Sequence, residues 1–174
     1  KNNLMAKGDR DQLARFISEF KFMPGGRYLW YAGRDARFFN NCYLLRLEDD
    51  TREEWAGVTQ RAMSCLMTGG GIGVDVSLCR PSGRQLRRTG GVASGPIPLL
   101  FTLNEVGRNV MQGGSRRSAL YGSLNWAHED ASNLLKAKNW HDLKIEGSDI
   151  TISDAKKANF NYAAPLDMMN VSLN

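Results

Sequence analysis

The chain has 174 residues, enough for one domain with a sizeable core. With 42% hydrophobic and 24% charged residues and a formal charge of +5, it excludes a disordered chain and carries only a modest basic excess. No apolar run approaches the ~18–20 residues of a membrane span, and the first residues lack the apolar stretch of a secretory signal. Three cysteines, two histidines and no Cys-x-x-Cys exclude a disulfide scaffold and a structural zinc site, so a reducing, cytoplasmic setting is expected.

In chain order, Leu13, Phe16, Ile17 and Phe20 recur at helical spacing, predicting a helix from Asp9 to Phe20 capped by Asp9. Pro24-Gly25-Gly26 breaks it, and Arg27–Tyr31 reads as a short strand. Cys42–Leu47 reads as a strand that ends in the acidic trio Glu48-Asp49-Asp50. Thr51-Arg52-Glu53-Glu54 fits a reciprocal capping box for a helix with Trp55, Val58, Ala62, Cys65 and Leu66 on its core face. Gly69-Gly70-Gly71 ends that helix, and Ile72, Val74, Val76 and Leu78 alternate as a strand. Pro96 opens the next helix, with Leu99, Leu103, Val106 and Val110 as its core stripe. A strand at 119–124, a helix at 129–138, a short helix at 153–158 and a strand at 168–173 follow. The alternation predicts an α/β class without internal repeats or a domain linker, so 1–174 is read as one partial domain. The chain does not begin with Met and its last strand runs to the end, so a fragment is expected.

Gly69-Gly70-Gly71-Ile72-Gly73 matches no dinucleotide fingerprint, because it precedes a strand rather than a helix; no Gly-Lys-Ser/Thr phosphate loop is present either. More informative is Arg80-Pro81-Ser82-Gly83-Arg84-Gln85-Leu86-Arg87-Arg88-Thr89-Gly90-Gly91, whose four arginines suit a polyanion, since guanidinium forks match phosphate oxygens. Gln112-Gly113-Gly114-Ser115-Arg116-Arg117 repeats that recipe one helix later. As residues alone, the two loops fit a solvated basic surface, a nucleic-acid-binding protein or a nucleotide-binding regulatory module without catalysis. Cys42 and Cys65 read as small core residues; Cys79, beside the basic loop, is a candidate for a lowered pKa but reads better as a bystander.

Taken in order, several segments resemble the catalytic subunit of ribonucleotide reductase. They are Phe22-Met23-Pro24-Gly25-Gly26-Arg27, Asn40-Asn41-Cys42, Gly69-Gly70-Gly71-Ile72-Gly73, Arg80-Pro81-Ser82-Gly83, Thr89-Gly90-Gly91-Val92-Ala93-Ser94-Gly95-Pro96, Gln112-Gly113-Gly114-Ser115-Arg116-Arg117-Ser118-Ala119 and Met169-Asn170-Val171-Ser172-Leu173-Asn174. The wording is most like the adenosylcobalamin-dependent class. The resemblance implies a ten-stranded α/β barrel of two parallel halves, of which this chain covers part of the first with flanking helices. It implies that a thiyl radical abstracts the ribose 3′ hydrogen, the 2′ hydroxyl leaves as water and a cysteine pair supplies two electrons.

By the same resemblance Cys42 is the first member of the reducing pair, and Asn41 lies beside the substrate. Gly70 and Gly71 give a backbone contact at the substrate ribose, where a side chain would block close approach. Asp49 holds the ribose or base of a dNTP effector, and Arg80 and Arg87 hold its phosphates. Residues 79–91 match the first specificity loop. Residues 112–117 match the second, with Gln112 and Arg116 toward the substrate. The implied partners are a ribonucleotide, a dNTP effector, a second copy of the chain and an external thiol reductant such as thioredoxin, with no membrane and no nucleic acid. The dimer is implied because no long insertion separates Gly73 from Arg80, and the helices after Thr51 and Pro96 are expected to face the two-fold axis. The motif Asn-x-Cys-x-Glu, which carries the radical cysteine in the family, is absent, so the 174 residues alone are expected to be inactive.

Overall fold

A computed structural model describes residues 6–35, 38–87, 90–113 and 117–174. The chain divides into two compact units, residues 1–40 and 41–174.

The first unit carries α1 (Lys7–Ser18) and α2 (Gly26–Tyr31). α1 starts two residues before the predicted cap: Ala6 is its N-cap, without a side-chain hydrogen bond, and Asp9 sits in the first turn, where its charge favours the helix dipole. The expected strand at Arg27–Tyr31 is a helix instead. Its aromatic run suits a strand on propensity, but a short apolar run does not fix the period. Helical spacing brings the Arg27 guanidinium to the Tyr31 hydroxyl at 3.3 Å, and Tyr28 stacks on Phe39 with centroids 4.9 Å apart.

The second unit is a four-stranded parallel sheet with its strands in chain order: β1 (Cys42–Arg46), β2 (Gly71–Asp75), β3 (Leu120–Leu124) and β4 (Met169–Leu173). Cys42 pairs with Gly71, Ile72 with Leu120, and Leu120 with Met169. The crossovers carry α3 (Arg52–Met67), α4 (Ile97–Asn109), α5 (Ala131–Ala137) and α6 (Ile152–Ala158). The helical core stripes read from the sequence are buried at Val58, Ala62, Leu66, Leu99 and Leu103; Trp55, Cys65, Val106 and Val110 pack at its margin. These meet the sheet through Ile72, Val74, Leu120, Leu124 and Met169, a face whose burial supplies most of the driving force.

Half of the expected capping box forms. The Thr51 hydroxyl accepts from the Glu54 amide at 3.2 Å, but the Glu54 carboxylate accepts from the Glu48 amide at 3.3 Å and from Arg61 at 2.7 Å. Glu54 thus ties the β1 exit to the helix rather than closing its own first turn. β2 stops at Asp75, short of the predicted Leu78. The Asp75 carboxylate accepts from the Ser77 amide and hydroxyl at 3.0 and 2.5 Å, an Asx-type turn that ends the extended run and leaves Leu78 exposed. Two helices start close to their expected positions, α5 at Ala131 and α6 at Ile152, the second capped by the Thr151 hydroxyl.

Candidate functional site

Because every strand runs the same way, the sheet has one edge of strand starts and one of strand ends, and the residues singled out in the sequence divide between them.

At the strand starts, the Gly71 amide donates to the Asn41 carbonyl at 2.8 Å, joining the turn before β2 to the residue before β1. Cys42 is exposed at that edge, as is Asn41. Gln112 is buried, and its Nε2 donates to the Gly69 carbonyl at 2.8 Å, while the Gly113 amide donates to the Leu66 carbonyl at 3.2 Å. Among the described residues, the buried Gln112 Oε1 has no hydrogen-bond partner. The structure therefore assembles Asn41, Cys42, Gly70, Gly71 and Gln112 along one edge. Arg116 lies outside the described residues. Glycine is required at position 70 for a reason the sequence did not show: a Cβ there would stand 2.3 Å from the Tyr43 ring, so the space is taken by protein. At Gly71 a Cβ would press on the Ala119 carbonyl at 3.2 Å.

Beside this edge, Arg117 leads into β3 and is held by the segment before β4. Its Nε lies 3.2 Å from the Met168 sulfur, its guanidinium covers the Phe160 ring at 5.1 Å, and Asp167 lies 3.6 Å away. The Asp167 carboxylate, 2% exposed, also pairs with Arg108 at 2.8 Å and Lys156 at 3.0 Å. A buried carboxylate is tolerable with cations this close, and removing it would leave them uncompensated.

At the strand ends lies a cavity of about 1010 Å³. Arg80 and Arg87 both line it, with Asp50, Trp55, Leu86 and Ser94. The basic stretch folds back as a small hairpin: Gln85 bridges Val92, the Leu86 amide donates to Gly91 at 2.7 Å and the Ala93 amide to Arg84 at 2.7 Å. This fold-back is what sets Arg87 on the same cavity as Arg80. The acidic partner of Arg80 in the cavity is Asp50. Its Oδ2 accepts from the Arg80 amide at 2.9 Å and from Nε at 2.5 Å, and its Oδ1 accepts from the Trp55 indole at 3.1 Å. Asp49 is exposed, does not line the cavity and accepts from the Asp50 amide at 2.7 Å. Arg87 makes no ion pair among the described residues, whereas Arg80 pairs with Asp50 and Arg52, also in the lining, pairs with Glu53, so the cavity offers two arginines held by carboxylates and one uncommitted. That arrangement suits a polyphosphate whose other end presents hydroxyls or a base.

Cys79 is the bystander that the sequence favoured, not a lowered-pKa thiol. Burial, with the nearby Asp50 charge, pushes its thiol up to about 12, so it is a protonated core group.

The family profile for the ribonucleotide reductase barrel domain matches residues 40–164, well over half of the chain. The chain belongs to the ribonucleotide reductase barrel family. Among curated relatives, the vitamin B12-dependent ribonucleoside-diphosphate reductase of Mycobacterium tuberculosis is 31% identical over 128 residues, covering 74% of this chain and 18% of the relative. The ribonucleoside-diphosphate reductase large subunit of Danio rerio is 32% identical over 126 residues, covering 70% and 16%. The chain thus spans less than a fifth of the length of these reductases. The solved class Id ribonucleotide reductase alpha subunit of Actinobacillus ureae superposes with a TM-score of 0.69 over 97% of this chain and 26% of its own, at 16% identity, which establishes the shared fold. The four parallel strands belong to this reductase barrel fold. Among the described residues no helix is long and apolar enough to cross a membrane.

Sequence reasoning missed three side chains of this barrel segment. Asp50 was hidden by adjacency to Asp49, Asp167 by the weak periodicity of residues 139–165, and Asp130, described below, by its distance in sequence from the loop it holds.

The three thiols should differ sharply in reactivity. Cys42 is exposed, Cys65 is half-buried with its pKa raised by burial, and Cys79 is 3% exposed. Brief iodoacetamide treatment at pH 8, read by peptide mass spectrometry, should label Cys42 first, Cys65 slowly and Cys79 only after denaturation. Labelling of native Cys79 at the rate of Cys42 would contradict the burial.

Proposed function

We propose that this chain forms part of a ribonucleotide reductase that converts ribonucleotides to 2′-deoxyribonucleotides by thiyl-radical chemistry, with a dNTP choosing which base is reduced. The observation that carries the reading is the division of the family-matching residues between two edges of one sheet. An exposed cysteine with the glycine turn lies at the strand starts, and an arginine-lined cavity lies at the strand ends. The names of the curated relatives support a ribonucleoside diphosphate as substrate.

In this reading Cys42 is one of two thiols that close to a disulfide. They give up two electrons and two protons as the ribose 2′ hydroxyl leaves as water, and an external dithiol such as thioredoxin reopens the disulfide. Asn41, Gly70 and Gly71 contact the ribose, and Gln112 and Arg116 bind the substrate. The buried Gln112 Oε1, without a partner among the described residues, supports such a role, since an acceptor held from water gains most from a donor brought to it. Arg80 and Arg87 bind the effector phosphates, with Asp49 and its neighbour Asp50 toward the sugar.

The names of the Mycobacterium tuberculosis relative and of the Thermoplasma acidophilum vitamin B12-dependent reductase, 27% identical over 136 residues, support adenosylcobalamin as the radical source. When bound, that cofactor supplies the oxidising equivalent that turns a cysteine into a thiyl radical. The buried imidazole of this chain does not fit its ligation. His128 Nδ1 accepts from the Asp130 amide at 3.0 Å, which leaves the proton on Nε2, donated to the Cys79 carbonyl at 2.8 Å. No step is therefore assigned to this chain through the corrin. The exposed apolar groups of α3 and α4, Met63, Met67 and Phe101, support a homodimer face on these helices.

Two substitutions test the reading. In a complete reductase carrying this segment, Cys42→Ser should still permit radical formation but stop multiple turnover with the external dithiol; normal steady-state turnover would refute the redox role. Arg87→Ala should weaken dNTP binding about 10–150-fold, the range for a charge-assisted contact, and blunt base selection while leaving unstimulated reduction largely intact. Unchanged dNTP affinity and base selection would make the hairpin a solvated basic surface.

A further inference from the structure

The hairpin that lines the cavity is held from outside the cavity by a side chain assigned no role by any motif. Asp130 precedes α5 in the connection after β3 and is 3% exposed. Its Oδ2 accepts from the Ser82 amide at 2.8 Å and its Oδ1 from the Ser82 hydroxyl at 2.5 Å, with the Asn133 amide group adding a donor at 3.1 Å. Ser82 stands at the entry to the hairpin. At its exit, Gly95 has φ +79°, and a Cβ there would meet the same Asp130 Oδ2 at 2.8 Å and the Ser82 amide nitrogen at 3.1 Å. Entry and exit strands thus close on one buried carboxylate. One residue beyond the entry, the Gly83 amide donates to the Ala93 carbonyl at 2.8 Å and completes the neck.

The neighbouring contacts reinforce the attachment. His128, two residues before Asp130, donates to the Cys79 carbonyl, and the Asn125 amide donates to the Ser77 hydroxyl at 2.8 Å. The connection after β3 therefore grips residues 77–82 at three places, and the Asp50 carboxylate also holds Arg80. Hydrogen bonding to the ionised form keeps the Asp130 carboxyl below the usual range despite burial, so it is a carboxylate at neutral pH.

We infer that Asp130 is a positioning residue for nucleotide binding: through Ser82 it fixes the neck of the 82–95 hairpin and so sets where Arg87 stands relative to Arg80 and Asp50. The inference rests on the reading of the cavity as a dNTP site. Asp130 touches no ligand in this account; it removes the hairpin's freedom before binding, so the ordering cost is not met at the moment the nucleotide arrives.

The test is equilibrium dialysis of the full chain with radiolabelled dTTP, dGTP, dCTP and dATP, on variants whose native circular dichroism and cooperative melting have been verified. Asp130→Asn removes the charge and one of the two acceptor oxygens, setting its NH2 against either the Ser82 amide or the Asn133 NH2, and should weaken affinity for the bound dNTP about 10-fold. Ser82→Ala, which removes one hydroxyl and keeps the fold if Asp130→Asn does not, should weaken it about 3-fold, and Ser82→Thr, which restores the donor, should return it to the native value. A merely structural Asp130 would lower the melting temperature of these variants without this graded loss and rescue. Native affinity in folded Ser82→Ala and Asp130→Asn, with Arg87→Ala still weakened, would overturn the positioning role and leave the dNTP site standing. A native chain that binds none of the four dNTPs would overturn both.

Discussion

A parallel sheet admits no hairpins between neighbouring strands, so each strand must be followed by a crossover that returns the chain to the starting edge. In this chain that constraint separates two sites while joining them by rigid elements. α3 leaves the strand-end edge at Thr51, where Asp50 and Trp55 line the cavity, and finishes at Leu66–Gly70, where carbonyls receive Gln112 and Gly113. α4 leaves the same edge after Gly95 and delivers the chain to Val110 and Gln112. At 1.5 Å per residue these helices span roughly 20–24 Å. The two edges are thus joined by strands and helices packed on a common core, Leu66 and Leu103 among its members.

Close packing makes that connection stiff. Gly107 and Gly122 are positions where an added Cβ would strike Leu120 at 2.3 Å and the Met169 sulfur at 2.8 Å, so α4 and β4 approach β3 at side-chain contact distance. Interiors of this density shift as bodies rather than deform locally. The charged groups are arranged to match: Asp50 and Asp130 brace the hairpin at one edge, and Asp167 gathers Arg108, Arg117 and Lys156 beside the other.

Much of this was legible in the sequence where one residue pattern has one physical outcome. The alternation from Ile72 and the stripes of α3 and α4 mark faces that must be buried, and they are, at Ile72, Val74 and Val76 though not at Leu78, which lies past the end of β2. Order and spacing of the glycine and arginine segments pointed to the reductase family, which the profile match over 40–164 bears out. Patterns with two physical outcomes misled. Arg27–Tyr31 has strand propensity and helical contacts. Thr51 and Glu54 offered a reciprocal cap, yet Glu54 found the Glu48 amide and Arg61. Cys79 next to arginines left a thiolate open, and the favoured bystander reading stands because burial outweighs the charge. Asp130 was out of reach for another reason: its bond to Ser82 spans 48 residues, and nothing local marks such a contact.

The central claim is that effector and substrate occupy opposite edges of one parallel sheet. Amide hydrogen exchange of the chain with and without saturating dNTP tests it most directly, since exchange reports local opening segment by segment. The account predicts slowed exchange at residues 50–55 and in the 82–95 hairpin, with residues 40–42 and 69–73 unprotected by direct contact. Protection confined to 40–42 and 69–73, with the hairpin unchanged, would contradict it.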